Sequence, residues 1–489
     1  MDSIIVEGGK KLKGSIYTQG AKNSSLPIMA ACLMIDGEVR LNNTPLLSDV
    51  STMMSLLRTL GCKIKPSTTK PTSIFDAGKT FHITSTNITS LKAPYETVSK
   101  MRASIWVLGA LVGRFGRAKV SMPGGCSIGS RMIDMHIEAL EAMNISISID
   151  NGYIKAKAKN EDRKPQACKF TFRKKSVGAT INAILTATLA KEGSITTLDN
   201  CAIEPEIIDL CHFLNKFGAK IENIGKSKVI ITGVQKLKPK SNKPDDKSYS
   251  IIPDRVEAFT YMIAAAITKG SISVHGISPN LLVNPIYKLA ETGSNISILD
   301  GDNKKIFYIN RDNYDQNIIE NNISMDIKSN HEEFIITVTN NDNKIFPVSI
   351  STSSHPGFPT DMAAQFMALM TIADSDDIND KKNESTFKEN IFENRLMHVP
   401  ELARMGANIK ILNNHTAIVK GIGGTSELSG AEVMASDLRA SVTLILAGLA
   451  AKGKTKVSRV YHLDRGYFAL EKKLISCGAV VKRVKESKV

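Results

Sequence analysis

The chain has 489 residues, 42% apolar and 23% charged, with a net charge of +15. That length is too great for one ordinary core, and the composition is that of a globular protein of two or more domains. The longest apolar runs, such as Leu444 to Ala451, fall far short of the roughly 18 residues a membrane span needs. The first residues lack the pattern of a secretion signal, so the expected location is the cytoplasm.

The seven cysteines are scattered without a CxxC, which argues against a disulfide framework and a zinc site. Cys32, Cys62, Cys201, Cys211 and Cys477 lie in apolar contexts and read as small core residues. A basic chain first suggests nucleic acid. The lysines are spread out, however, and no arginine-rich helix or aromatic-interleaved basic stripe occurs. The excess charge suits a solvated surface and a phosphorylated small molecule.

In chain order, Thr18-Gln19-Gly20-Ala21-Lys22-Asn23-Ser24-Ser25-Leu26-Pro27 comes first and leads into an apolar helix. Asn23 or Ser24 can cap that helix, with Pro27 tolerated in its first turn. Lys22 is then either a solvent-facing lysine or a cation at an anion-binding helix mouth. Met101-Arg102-Ala103-Ser104-Ile105-Trp106 opens the next helix. There Arg102 is either a phosphate clamp or half of a surface ion pair.

Pro123-Gly124-Gly125-Cys126-Ser127-Ile128-Gly129-Ser130-Arg131 follows and is the most informative segment. Glycines allow close backbone approach, and a nearby cation favours thiolate. The segment reads as a mobile loop presenting the Cys126 sulfur to an anionic small molecule. His136, on the helix after this loop, reads as a satisfied structural residue.

Asp300 to Asn343 and Asp374 to Asn390 are polar and read as surface insertions or irregular β-excursions with no chemistry. Between them, Ser353-Ser354-His355-Pro356-Gly357-Phe358-Pro359-Thr360-Asp361 is a proline-bracketed loop ending at a helix start. Thr360 or Asp361 can be the cap. Asp361 can equally be a general base for a hydroxyl. Ser436-Asp437-Leu438-Arg439 and Tyr461-His462-Leu463-Asp464-Arg465 each set an arginine beside an aspartate near a helix start. A cation is unfavourable at a positive helix end, so both places suggest that an anion is expected there.

The chain also repeats itself. Six helix-like runs each end in a signature that enters a strand: Gly61-Cys62-Lys63-Ile64, Asn144-Ile145-Ser146-Ile147, Gly218-Ala219-Lys220-Ile221, Gly293-Ser294-Asn295-Ile296, Gly406-Ala407-Asn408-Ile409 and Gly478-Ala479-Val480-Val481. The spacing is about 70 to 85 residues, with a longer fourth-to-fifth gap. Each copy predicts an α/β unit, three to a domain, with the alanine-rich helices buried.

Together these segments resemble the enolpyruvyl transferase family, in its peptidoglycan branch. The resemblance runs nearly end to end. Besides the segments above it includes Ser176-Val177-Gly178-Ala179-Thr180, Pro253-Asp254-Arg255, Phe392-Glu393-Asn394-Arg395 and His462-Leu463-Asp464-Arg465-Gly466-Tyr467. It implies a two-domain inside-out α/β barrel, each domain made of three α/β units with buried helices. One domain would span 22–252. The other would take 1–21 plus 253–489, with polar insertions near 300–343 and 374–390, and the active site would lie in the cleft between them.

The resemblance also implies a reaction. The enolpyruvyl group of phosphoenolpyruvate passes to the 3′-hydroxyl of UDP-N-acetylglucosamine by addition and elimination, releasing phosphate, as the first committed step of peptidoglycan synthesis. Cys126 would be the general acid and Asp361 the base. Lys22, Arg131 and Arg465 would surround the phosphate, with Arg439 near the carboxylate. Asn23, Arg102, Arg131, Met132, Ile133, Asp134, Met135, Lys174, Lys175, Ser176, Val177 and Ile391 would contact the UDP-sugar. No metal or organic cofactor, nucleic acid or membrane partner is implied, and a thiol at position 126 implies alkylation by fosfomycin. Ile203 departs from the arginine common before the Glu204-Pro205-Glu206 run.

Two rivals fit parts of the pattern. The shikimate branch shares the repeats but has no use for the glycine-flanked cysteine. A six-unit nucleic-acid-binding ring suits the basic charge but gives Cys126 and Asp361 no task.

Overall fold

A computed structural model describes the chain except residues 1, 68–77, 125–132, 301–304, 314–333, 341–343, 375–382, 424–425 and 486–489. The described residues divide into two compact units, residues 20–252 and residues 2–19 with 253–485.

One sheet pattern recurs six times. A parallel edge strand pairs with a second strand, and the third and fourth follow antiparallel. In the first unit the sheets run Ser248–Ser250, Glu38–Thr44, Lys79–Thr84, Lys63–Pro66; then Lys92–Ala93, Arg117–Ser121, Tyr153–Ala158, Ile145–Asp150; then Lys169–Thr171, Ile195–Asp199, Val229–Thr232, Lys220–Glu222. In the second unit, Lys13–Tyr17, Ser271–His275, Ile335–Thr339 and Asn295–Leu299 carry a fifth strand, Lys305–Ile309. The other two sheets there are Ile350–Ser351, Glu384–Lys388, Thr416–Lys420, Asn408–Asn413, and Glu432–Met434, Lys454–Ser458, Asp2–Glu7, Val480–Lys485.

Each fourth strand is entered through the predicted signature. Gly61, Asn144, Gly218, Gly293, Gly406 and Gly478 all have positive φ, between 61° and 112°. This left-handed turn ends the outer helix and starts the strand, a geometry glycine meets without strain and asparagine tolerates.

Six inner helices fill the units. In the first unit they are α1 (Lys22–Cys32), α2 (Trp106–Phe115) and α3 (Val177–Thr188). In the second they are α4 (Arg255–Ile267), α5 (Thr360–Thr371) and α6 (Leu438–Ala450), which pack on one another. All thirteen residues of α4 are buried. A helix buried on every side cannot be amphipathic, which is why these segments are rich in alanine rather than striped. The alanine and glycine side chains also allow close approach. A Cβ on Gly109 of α2 would lie 2.6 Å from the Asn182 carbonyl oxygen of α3. Phe259, Phe358, Phe366 and Phe387 seal the second unit by edge-to-face, tilted and stacked contacts.

The insertion reading is too broad. Ile335–Thr339 and Glu384–Lys388 are inner strands of their sheets. Alternation of buried and open positions within these short runs outweighs their polar surroundings.

Candidate functional site

The second unit gathers charge at the N-terminal ends of its inner helices. α5 begins behind Pro359, which occupies the cap position; neither Thr360 nor Asp361 caps the helix. Both side chains are left for other work. Asp361 Oδ2 accepts from Arg439 Nη2 at 2.7 Å, and Oδ1 accepts from Arg395 Nη2. Both arginine side chains are 7% exposed, against 27% for Asp361. The carboxylate is therefore the open end of a buried cationic cradle.

The cradle is braced from behind. Thr360 Oγ1 donates to Glu389 Oε2 at 2.8 Å, and Arg395 Nε reaches Thr360 Oγ1 at 3.3 Å. Glu389 Oε1 accepts from the backbone N–H of Ile391 at 2.7 Å and of Phe392 at 3.1 Å, fixing the turn that presents Ile391. The buried Tyr467 hydroxyl bonds Thr260 Oγ1 at 2.8 Å and accepts from Arg439 Nη1 at 3.4 Å. Gln365 adds a bond to that hydroxyl from α5.

Arg439 sits in the first turn of α6, where the dipole disfavours a cation. Asp437 caps the helix, accepting from Arg439 N at 2.6 Å and Ala440 N at 3.0 Å. Burial disfavours the Arg439 charge, but Asp361 outweighs it, so the guanidinium pKa rises. The anion expected beside Arg439 is thus supplied from within the unit. Arg465 ends a 3-10 helix, Val460–Arg465, and the following α-helix starts only at Leu470. The neighbouring Asp464 carboxylate accepts two bonds from Arg483, at 2.6 and 3.1 Å. Burial, with the Arg465 charge beside it, lowers the His462 pKa.

In the first unit, Lys22 is the first residue of α1, and Ala21, not Asn23 or Ser24, holds the cap position. Pro27 therefore falls inside the helix rather than in its first turn. The reason lies far away in sequence: the Ser24 hydroxyl donates to buried Asp209, which also accepts from Tyr249 Oη at 2.5 Å. Lys22 Nζ stands 3.5 Å from Asp49 Oδ2, at the start of helix Ser48–Leu60. Burial, with these bonds opposing it, raises the Asp209 pKa to about 6.

Arg102 opens a 3-10 turn, Arg102–Ile105, ahead of α2. Ile133 is the N-cap of helix Asp134–Ala142. Asp134 binds its own neighbour's amide, Met135 N, at 2.9 Å and pairs with Arg173. Ser176 caps α3, its hydroxyl accepting from Ala179 N at 3.3 Å, with Val177 the first helical residue. Lys174 and Lys175 are exposed just before it. His136 is buried and bonded through Nδ1 to Asn182 Nδ2 at 2.9 Å. Burial and then the Arg102 charge lower its pKa to about 4, so it is a neutral structural residue. Cys126, Arg131 and Met132 lie outside the described residues.

Sequence reasoning gave no role to Arg395, Glu389, Tyr467 or Asp49. The Phe-Glu-Asn-Arg and Arg-Gly-Tyr runs marked two of them, but only the fold shows that they converge on Asp361 and Arg439.

The model of the family described as EPSP synthase (3-phosphoshikimate 1-carboxyvinyltransferase) matches residues 6–474. The chain is 47% identical over 486 residues to a protein of Rickettsia bellii (strain OSU 85-389) named UDP-N-acetylglucosamine 1-carboxyvinyltransferase, covering 99% of this chain and all of that one. It is 46% identical, with the same coverage, to the protein of that name from Rickettsia prowazekii (strain Madrid E). Among solved structures, the enolpyruvyl transferase NikO from Streptomyces tendae matches with a TM-score of 0.76 at 20% identity, covering 99% of both chains. EPSP synthase from Acinetobacter baumannii matches with a TM-score of 0.67 at 14% identity, covering 99% of this chain and 100% of that one. Both share the two-domain inside-out α/β fold.

Proposed function

The chain belongs to the EPSP synthase family of enolpyruvyl transferases, and from that premise we propose that it transfers the enolpyruvyl group of phosphoenolpyruvate to the 3′-hydroxyl of UDP-N-acetylglucosamine. The full-length kinship to the rickettsial proteins supports this acceptor. The observation that carries the chemistry is the partly open Asp361 carboxylate, held between two buried guanidinium groups at a helix start.

Addition requires a proton at the methylene carbon of phosphoenolpyruvate and a bond from the sugar oxygen to C2. Cys126 donates the first proton, and Asp361 accepts the proton leaving the sugar hydroxyl. Elimination then removes a proton from the C3 methyl group formed in the addition and breaks the C2–O bond to phosphate. The products are the enolpyruvyl ether and inorganic phosphate, so atoms and charge balance. Lys22, Arg131 and Arg465 neutralise the phosphate, and Arg439 takes the carboxylate, as fixed charges that need little reorganisation. Asn23, Arg102, Arg131 to Met135, Lys174 to Val177 and Ile391 hold the nucleotide sugar. The reaction belongs to cytoplasmic cell-wall synthesis.

Arg439 has a second consequence. Asp361 engages its guanidinium at 2.7 Å. A substrate carboxylate that draws on Arg439 loosens that bond and frees Asp361 Oδ2 to accept the sugar proton. Placement of phosphoenolpyruvate on Arg439 thereby readies Asp361 for the sugar hydroxyl.

The test is phosphate release from purified protein with both substrates, with each omitted in turn, and with shikimate 3-phosphate in place of the nucleotide sugar. Release only with UDP-N-acetylglucosamine is expected. Release with shikimate 3-phosphate alone would overturn the acceptor assignment.

A further inference from the structure

The outward face of one sheet is unlike the other five. In the sheet holding Arg117–Ser121, the register sets Lys92 opposite Lys119, Lys119 opposite Lys155, and Arg117 opposite Lys157. The fourth strand adds only Ser146 and Ser148 to these rows. Lys92, Arg117, Lys119, Lys155 and Lys157 thus share a face with one acid, Asp150, bonded to Lys155 at 2.5 Å. Like charges directly opposite each other destabilise a sheet. Elsewhere lysines face acids across strands: Lys454 opposite Glu7, Lys456 opposite Glu432, Lys420 opposite Glu384.

Tyrosines border the cationic rows. The Tyr153 ring receives the Lys119 ammonium at 4.8 Å and the Lys92 ammonium at 5.4 Å. Its hydroxyl lies 3.4 Å from the amide of Tyr95, a residue 61% exposed. Tyrosine with lysine on a solvent-facing surface is the composition found at a bilayer's polar boundary.

We propose that this face docks on an anionic phospholipid bilayer. The charge is borne mainly by lysines, which act as point charges without the planar fork that reads a defined phosphate or base edge. It is spread over a sheet surface and so suits a field of headgroups. No described helix is long and apolar enough to cross a membrane, so the contact is peripheral.

Co-sedimentation of the full chain with vesicles tests this. Binding is expected to mixed phosphatidylglycerol–phosphatidylcholine vesicles and not to phosphatidylcholine alone, and to fall as salt rises. Lys119→Glu with Lys155→Glu is expected to weaken binding at least tenfold while phosphate release is unchanged. Lys63→Glu with Lys65→Glu, the same change of net charge on another sheet, is expected to have little effect. Equal loss in both variants, no binding to the anionic vesicles, or displacement from them by an equal charge of duplex DNA would overturn the lipid assignment.

Discussion

Arg439 and Asp361, 78 residues apart in sequence, are joined by a 2.7 Å bond between the first turns of two inner helices. On the role proposed for Asp361, that bond must loosen before the carboxylate can take up a proton. Substitution of either partner separates the structural role from the chemical one.

Asp361→Asn keeps the shape and one acceptor but cannot take up a proton. Turnover is expected to fall about 10²- to 10⁴-fold, the range for loss of a general base. Circular dichroism is expected to be unchanged. Near-normal phosphate release by a folded variant removes Asp361 from the mechanism.

Arg395→Ala strips one brace from the same carboxylate and opens a hydrogen bond to Thr360. Loss of about 2 kcal/mol is expected from the charged bond and its buried partners. In urea titration the midpoint falls without a change of slope. Activity is expected to fall with it, and Arg395→Lys to restore stability better than activity.

Gly109→Ala places a methyl against backbone. Its Cβ would meet the Asn182 carbonyl at 2.6 Å and Oδ1 at 2.7 Å, so α2 and α3 must separate. Overpacking of this kind costs about 1–3 kcal/mol. For a unit of this size that is a fall of roughly 2–4 °C in Tm per kcal/mol. Gly152→Ala makes a useful contrast: no atom lies within 4 Å of its Cβ, and only the left-handed backbone, φ +74°, opposes the change.

Acid stability should be set by opposing buried groups. Burial lowers the His136 and His398 pKa values to about 4 from an ordinary 6.5. Between those values the unfolded chain binds protons that the folded chain does not. Each histidine therefore removes stability as pH falls from 6.5 towards 4. Asp209, raised to about 6 from 3.8, acts the other way: its contribution is full below pH 3.8 and lost as pH rises through 6. From pH 4 to 6 two histidines oppose one aspartate, so these three groups together make the fold more stable as pH rises. Asp209→Asn removes the opposing slope and is expected to steepen the increase, as read from denaturation midpoints at pH 4.5, 5.5 and 6.5. A flatter profile in the variant contradicts the assignment.

Thiol labelling gives a further check. Cys32, Cys62, Cys201, Cys211 and Cys477 are buried. Burial pushes Cys201 and Cys211 up to about 12 and Cys32 well above its ordinary value. Native protein treated with fosfomycin is expected to carry its adduct at Cys126; iodoacetamide can also reach the half-buried Cys168, while the five buried thiols are labelled only after denaturation. Peptide mass spectrometry reads the position directly.

The repeated glycine and asparagine signatures were legible because they report a local need, a left-handed residue between helix and strand. The alanine-rich inner helices were legible for a similar reason, since uniform burial leaves a uniform composition. Helix caps were less so. Thr360 and Ser24 have ideal capping chemistry, yet their hydroxyls serve Glu389 and Asp209. The Ser24 partner lies 185 residues away, and local propensity cannot anticipate such a competitor. The cradle around Asp361 was hidden likewise: its arginines were visible as motifs, but their convergence is a property of helix packing.

The pairing of Asp2–Glu7 with Lys454–Ser458 and Val480–Lys485 orders events during synthesis. Asp2–Glu7 is synthesised well before either strand it pairs with. Residues 20–252 contain all three of their own sheets and can fold while translation continues. The leading segment must meanwhile stay soluble and uncommitted, so a bulky fusion there burdens the last assembly step more than one placed on the hairpin turn at Asn151-Gly152.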